Sequence, residues 1–302
     1  MSHIKSVFSI KDLENFSGVK AHTIRIWEKR YGLLTPERTD TNIRFYSLES
    51  LKKLLNISLL NSEGIKISKI ANYDQESFDK VLNQSVFEKV NKNQFSNQLK
   101  IAMLNYDVVL FEDAYSQIEK VLSFSEIFKN YLIPFLGDIG LLWQSGSINP
   151  THEHFISNLI RQKILIYSYQ LQLKEVKKKD KLFVLFLPDN EVHDLGLNYL
   201  QYEILNAGYK SIMLGASVPI DSLKPFINDE QEVVFISYFT VQPEIHKIPE
   251  YLKEFNNQLL LNNKAKFYVL GKQIGLLSED LKTPKQVNLY HSLDDVITEV
   301  NK

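Results

Sequence analysis

The sequence predicts a multidomain α and α/β chain in three blocks: a winged helix-turn-helix, a four-helix bundle and a Rossmann-like parallel sheet. Three observations carry that expectation. Residues 7–70 hold short, capped helical segments around a Pro-broken hairpin. Residues 75–174 hold long apolar periodicities with few Gly and with Pro134 as an interior proline. From residue 181, short apolar runs alternate with helix-length amphipathic segments, the rhythm of a parallel sheet wrapped by helices.

In the first block, "SIKDLENFSG" places Ser9 as N-cap and Gly18 as stop, and "KAHTIRIWEKRYG" closes on Gly32. "LLTPERTDTNIRFYS" is too broken for a helix and reads as a turn between two extended arms. "SLESLKKLLNISLLNSEG" resumes with a cap at Ser47 and ends at Gly64. In the second block, "NQFSNQLKIAML", "DVVLFEDAYSQIEKVL", "FSEIFKNYLIPFLGDIGLLW" and "EHFISNLIRQKILIYSYQLQL" have helical spacing and length, which predicts an antiparallel bundle. The polar run "KEVKKKDK", 174–181, reads as a solvated linker. In the third block, "KLFVLFLP", "KSIMLG", "EVVFISYF", "KFYVLG" and "QVNLY" read as strands. The expected boundaries are 1–74, 75–174 and 175–302.

Composition bounds the function. The 302 residues are 44% hydrophobic and 24% charged, with no Cys, which leaves no disulfide, thiolate metal site or Cys nucleophile. No segment approaches the ~20 apolar residues of a membrane span, so no membrane partner is expected and a cytoplasmic location is. Residues 1–70 carry twelve Lys/Arg against seven Asp/Glu, while the remainder carries 23 against 29. A basic head on an acidic body points to a polyanion at one end.

The head has the groups for that partner. Ile24, Trp27 and Leu33 supply apolar bulk, and His22, Thr23, Arg25, Lys29, Arg30 and Tyr31 occupy the remaining surface of the second helix. Arg pairs with phosphates and reads guanine edges through a bidentate fork. Arg38, Asn42, Arg44 and Tyr46 lie on the projecting hairpin, which suits the adjacent minor groove. The stretch "FSIKDLENFSGVKAHTIRIWEKRYGLLTPERTDTNIRFYSLESLKKL" resembles the DNA-binding head of the MerR family over its whole length. The resemblance implies a dimeric winged-helix regulator on a double-stranded DNA operator, with its second helix in the major groove. The wing has "RFY" where "RRY" is usual in that family, one cation fewer.

The strand end "LPDNEVHDLG" brings Glu191, His193 and Gly196 together as E-x-H-x-x-G. Neutral imidazole is a good cobalt ligand, a nearby carboxylate fixes its tautomer, and Gly permits close approach of a bulky cofactor. In parallel sheets ligands bind beyond the carboxyl ends of the strands. Residues 181–302, with "LGASVP" and "ISYF", resemble cobalamin-binding domains. That resemblance implies His193 as the lower cobalt ligand, Glu191 as its orienting partner, Ser237 as a contact of the buried nucleotide tail, and Gly271 beside it. "VLGKQIG" has Lys272 where Gly-Gly is common in such domains.

"WQSGSINPTHEH" spaces Trp143 from the Glu153–His154 pair as W-x9-EH, which resembles the helical cap of CarH/LitR-type photoreceptors. The implied cofactor is adenosylcobalamin, with Trp143 shielding its adenosyl group and Glu153 and His154 on its polar edges. Gln144 stands where the light-sensing relatives have a His that can take the upper cobalt position. Together these resemblances imply no enzyme but a DNA-binding regulator, a repressor, whose oligomeric state (homodimer or homotetramer) and operator binding respond to adenosylcobalamin and light. Two other readings remain open: a MerR-type regulator with a cobalamin-independent sensor run by a protein partner, and a cobalamin-dependent transferase or mutase module. The head and the lack of Cys-based methyl-transfer machinery weigh against the latter.

Overall fold

The computed structural model describes residues 7–88 (backbone alone for 83–88), 92–227, 231–278 and 281–302. The chain divides into two units, 1–160 and 161–302.

Unit one opens with β1 (Val7–Ser9), α1 (Ile10–Ser17), α2 (Ala21–Tyr31), β2 (Glu37–Arg38), β3 (Arg44–Ser47) and α3 (Leu48–Ser62). Ser9 and Ser47 cap α1 and α3, as the sequence predicts, and Asp12 completes a capping box with Ser9. Gly18 and Gly32 end α1 and α2 in the left-handed conformation, which costs Gly nothing. Glu14 does the work of a missing cap on α2: its carboxylate accepts from Ala21 N at 3.2 Å and from the Lys20 ammonium at 3.2 Å. The hairpin β2–β3 is antiparallel, and β1 adds a third strand on the other side of β3. Phe8, Leu13, Phe16, Ile24, Trp27, Tyr46, Leu51, Leu54 and Leu55 are among the buried residues of this winged helix.

After α4 (Ile67–Ile70) and α5 (Gln75–Glu88) come α6 (Lys92–Asn105), α7 (Val108–Glu119), α8 (Phe124–Ile127), α9 (Ile133–Gln144) and α10 (Pro150–Gln172). A π turn, Phe128–Leu132, joins α8 to α9 in one run. Pro134 falls in the first turn of α9, directly after that turn, where its missing N–H is tolerated. The apolar stripes face inward: Phe95, Leu99 and Met103 on α6, Phe111, Tyr115 and Ile118 on α7, Leu132, Phe135 and Ile139 on the third run, and Ile156 and Ile160 on α10. The division between units falls within α10.

Unit two is a five-stranded, all-parallel sheet of β4 (Lys178–Phe186), α11 (Leu195–Asn206), β5 (Tyr209–Gly215), β6 (Glu232–Tyr238), α12 (Ile248–Phe255), β7 (Lys266–Leu270), β8 (Val287–Leu289) and α13 (Leu293–Val300). The order β5-β4-β6-β7-β8 puts a topological switch point between β4 and β6. Each face has its own core: one holds Val184, Phe186, Phe235, Phe255 and Phe267, the other Phe183, Leu185, Leu197, Leu200 and Tyr268. Alternate residues of β4 thus serve opposite layers.

The run 174–181 is not all linker: Lys178, Lys179 and Asp180 begin β4, and Lys178 pairs with Tyr209 before a register shift to Leu182–Lys210. The lysines are compatible with a strand because the ammonium of Lys178 lies over the Tyr209 ring at 4.6 Å. No helix among the described residues is long and apolar enough to cross a membrane.

Candidate functional site

In the head, exposed His22, Arg25, Ile26, Lys29 and Arg30 follow i, i+3, i+4, i+7, i+8 along α2, one continuous face opposite buried Ile24 and Trp27. Thr23 sits beside His22, Oγ1 to Nε2 at 3.5 Å, and the Arg30 guanidinium lies 5.4 Å from the centre of the half-buried Tyr31 ring. The wing tip turns at Asn42 (φ 65°), whose side-chain oxygen accepts from the Arg38 guanidinium at 2.6 Å. Both are exposed.

Glu28 binds the wing to α2. Its two oxygens accept from Arg44 Nε and from the Tyr46 hydroxyl, each at 3.1 Å. Tyr46 is fully buried, and burial together with Glu28 pushes its hydroxyl up to about 12. The expectation that Tyr46 meets DNA is therefore corrected: it anchors the wing. Arg44 is half-buried and keeps part of its guanidinium for other partners. The sequence hid this because alternation along "RFYS" does not reveal which face of a short hairpin meets the helix.

In unit two, the loop from β4 to α11 carries Glu191 and His193 at the switch point, and the first turn of α11 carries Gly196. Glu191 is fully buried. One oxygen accepts from Thr240 N, Val241 N and Gln242 N at 3.1, 2.6 and 2.8 Å. The other accepts from Val192 N at 2.8 Å and His193 N at 3.0 Å, and lies 2.6 Å from His193 Nδ1. Burial alone would push this carboxyl up, but the backbone donors of Gln242, Val241 and His193, with the His193 ring, hold it down at about 2. An ionised acceptor on Nδ1 fixes the proton there and leaves Nε2 as the basic nitrogen. The His193 side chain is 54% exposed, so that nitrogen is accessible to a metal.

Ser237, at the end of β6, is fully buried and its hydroxyl has no hydrogen-bond partner, an unfilled polar demand of the kind a ligand group meets. Gly271 follows β7 with φ 118°, and a Cβ there would stand 2.4 Å from the Phe239 carbonyl oxygen. Gly271→Ala is expected to cost about 2–4 kcal/mol, adding backbone strain to overpacking, and urea unfolding measures it. Lys272 is exposed. At Gly196 a Cβ would stand 2.6 Å from Tyr238 Cε2, so the ring of Tyr238 occupies the room that this glycine leaves.

Two features of this site escaped sequence reasoning. The donors Thr240–Gln242 lie about fifty residues from Glu191 and meet it through the sheet order. Arg161 grips Asp194, next to His193, with Nε and Nη2 on one oxygen at 3.0 and 2.7 Å. No local pattern links those positions.

In unit one, Trp143 (53% exposed) and exposed Gln144 end α9, and Glu153 and His154 start α10. Glu153 accepts from the Ser157 hydroxyl at 2.6 Å and lies 2.8 Å from His154 Nδ1. His152 is buried, stacked on Tyr106. Glu191, His193, Gly196, Ser237 and Gly271 thus gather in unit two, and Trp143, Glu153 and His154 flank one turn of unit one.

Two family models match parts of the chain. The model of the MerR HTH family regulatory protein matches residues 8–77 and that of the B12 binding domain matches 96–167: a MerR-type helix-turn-helix joined to a B12 binding domain. The chain is homologous to the HTH-type transcriptional repressors CarH and CarA of Myxococcus xanthus. CarH is 25% identical over 222 residues, 72% of this chain and 73% of CarH. CarA is 25% identical over 234 residues, 76% and 75% respectively. These relatives are regulators, not enzymes. The monomethylamine corrinoid protein of Methanosarcina barkeri shares the fold at 14% identity and a TM-score of 0.54, over 72% of this chain and 98% of that one.

Proposed function

We propose that this chain is a cytoplasmic repressor whose oligomeric state, homodimer or homotetramer, and occupancy of a double-stranded DNA operator are set by adenosylcobalamin, with light as the input. The observation that carries the reading is the buried, ionised Glu191 presenting His193 with a basic, accessible Nε2 at the switch point. Two features support the cofactor, the His193 imidazole as a cobalt donor and the unsatisfied Ser237 hydroxyl for the tail; we assign Gly271 beside that tail, and Trp143, Glu153 and His154 to the upper face. When bound, adenosylcobalamin supplies a light-sensitive cobalt–carbon bond. A ligand shifts an oligomeric equilibrium only by preferring one state. Gel filtration of the protein with adenosylcobalamin, in the dark and after green light, tests the reading; an elution volume blind to both would refute it.

On the DNA side, His22, Thr23, Arg25 and Arg30 are the major-groove contacts and Arg38, Asn42 and Arg44 the wing contacts. Arg30→Ala and Arg44→Ala are expected to weaken operator binding, each lowering the salt-dependence slope by about one unit. Unchanged affinity and slope in both would remove them from the interface. Gln144 is a weaker cobalt donor than imidazole. Gln144→His is therefore expected to slow cofactor loss after illumination, read as cobalamin retained on a desalting column.

A second reading is favoured by Tyr238, whose ring fills the space beside Gly196: a sensor that works without cobalamin and answers to a protein partner. Protein purified from cells supplied with cobalamin, with no visible absorbance, would favour it.

A further inference from the structure

The DNA-binding head and the helical bundle, both in unit one, are joined by polar contacts. Asn97 on α6 donates to the Leu55 carbonyl of α3 at 3.2 Å. Lys100, buried on α6, donates to the Phe16 carbonyl near the end of α1 at 3.3 Å and pairs with Asp138 of α9 at 3.5 Å. Asn15 of α1 donates to the Ser147 hydroxyl at 3.0 Å. That last contact ends on the turn Ser145–Asn149, which separates Trp143 from Glu153 and His154.

The turn is bound tightly to both flanks. Ser145 N, Gly146 N and Ser147 N donate to the carbonyls of Leu141, Trp143 and Leu142 at 3.0, 3.0 and 2.9 Å, so the turn continues the last turn of α9. On the other side, the Asn149 side-chain oxygen accepts from His152 N at 3.2 Å and from the Thr151 hydroxyl at 2.6 Å, fixing the start of α10. Ser147 itself is fully buried. A shift of the Trp143 turn or of the Glu153 turn therefore moves the Ser147 hydroxyl, and the bond to Asn15 breaks or drags α1 with it. Because α1 packs against α2 and α3, that displacement reaches the recognition helix.

We infer that the Ser145–Asn149 turn, through the Asn15–Ser147 hydrogen bond, couples the upper-face residues Trp143 and Glu153 to the orientation of the DNA-binding head. This rests on the functional reading above, in which those residues sense adenosylcobalamin. Coupling between two sites is a free energy shared by both ligands, so it is read as the factor by which one changes the affinity of the other.

The test uses the full chain with Asn15→Ala and Ser147→Ala. Three quantities are measured in the dark: adenosylcobalamin affinity, operator affinity without cofactor, and the ratio of operator affinities with and without adenosylcobalamin. Asn15→Ala is expected to leave the first two within about twofold while the ratio falls at least about fivefold toward one, within the usual range of allosteric couplings. Ser147→Ala should match it; Asn15 is only half-buried and carries the test alone if the Ser147 variant does not fold. A wild-type ratio different from one that Asn15→Ala preserves overturns the linkage and spares the functional reading. A wild-type ratio of one with cofactor bound overturns both.

Discussion

His193→Ala is expected to weaken cobalamin binding at least about 100-fold, near 2.7 kcal/mol, while the protein stays folded. The His193 side chain is more than half exposed, so its removal opens no cavity. Its contribution is the Nε2 lone pair, which Ala cannot replace. The ring is held at Nδ1 by an acceptor that is itself fixed by five backbone N–H groups, so the wild-type imidazole pays little to adopt the ligating orientation. Titration followed by visible absorbance reads the loss, and circular dichroism checks the fold. A variant with wild-type affinity and an unchanged cobalt spectrum would transfer the ligand role to another residue.

Glu191→Ala is expected to be the more damaging substitution for stability, at about 3–5 kcal/mol, the range for breaking a buried charged network from one side. The carboxylate joins the loop after β4 to the loop after β6, and its loss leaves the amides of Val192, His193, Thr240, Val241 and Gln242 without their acceptor. The same network gives stability a pH signature. The folded carboxyl sits at about 2, below its unfolded value of about 4.3. A depressed acid stabilises the fold fully above its unfolded value, and the contribution is lost as pH falls from about 4.3 toward 2, on the order of 3 kcal/mol in all. Urea midpoints recorded between pH 7 and pH 2.5 should fall through this window in wild type and less steeply in Glu191→Gln. Equal pH slopes would place the acid sensitivity elsewhere.

Much of the architecture was legible because it is written locally. Ser9, Ser47, Gly18, Gly32 and Gly64 mark helix ends by short-range hydrogen bonding and backbone conformation, and the apolar rhythm separates the helices of 92–172 from the strands after 178. What stayed hidden depends on contacts distant in sequence. Tyr46 reads as a wing surface residue in the sequence, but it is fully buried and its hydroxyl donates to Glu28. Lys178–Asp180 read as linker because their charge dominates any local window, which cannot show that Lys178 pairs with Tyr209. Glu191 was legible as the partner of His193, but not its second role in holding residues 240–242, which only the adjacency of β4 and β6 creates. The Arg161–Asp194 grip likewise joins residues that no motif spacing connects.

If cobalamin controls operator binding, operator affinity follows the state of the cofactor. Operator affinity is determined by mobility shift or anisotropy on a single preparation, without cofactor, with adenosylcobalamin in the dark, and after green light. The dark cofactor-bound protein is expected to bind at least about tenfold tighter than the illuminated one, a difference of about 1.4 kcal/mol, and His193→Ala to abolish the difference. Three equal affinities, with adenosylcobalamin demonstrably bound, would contradict it.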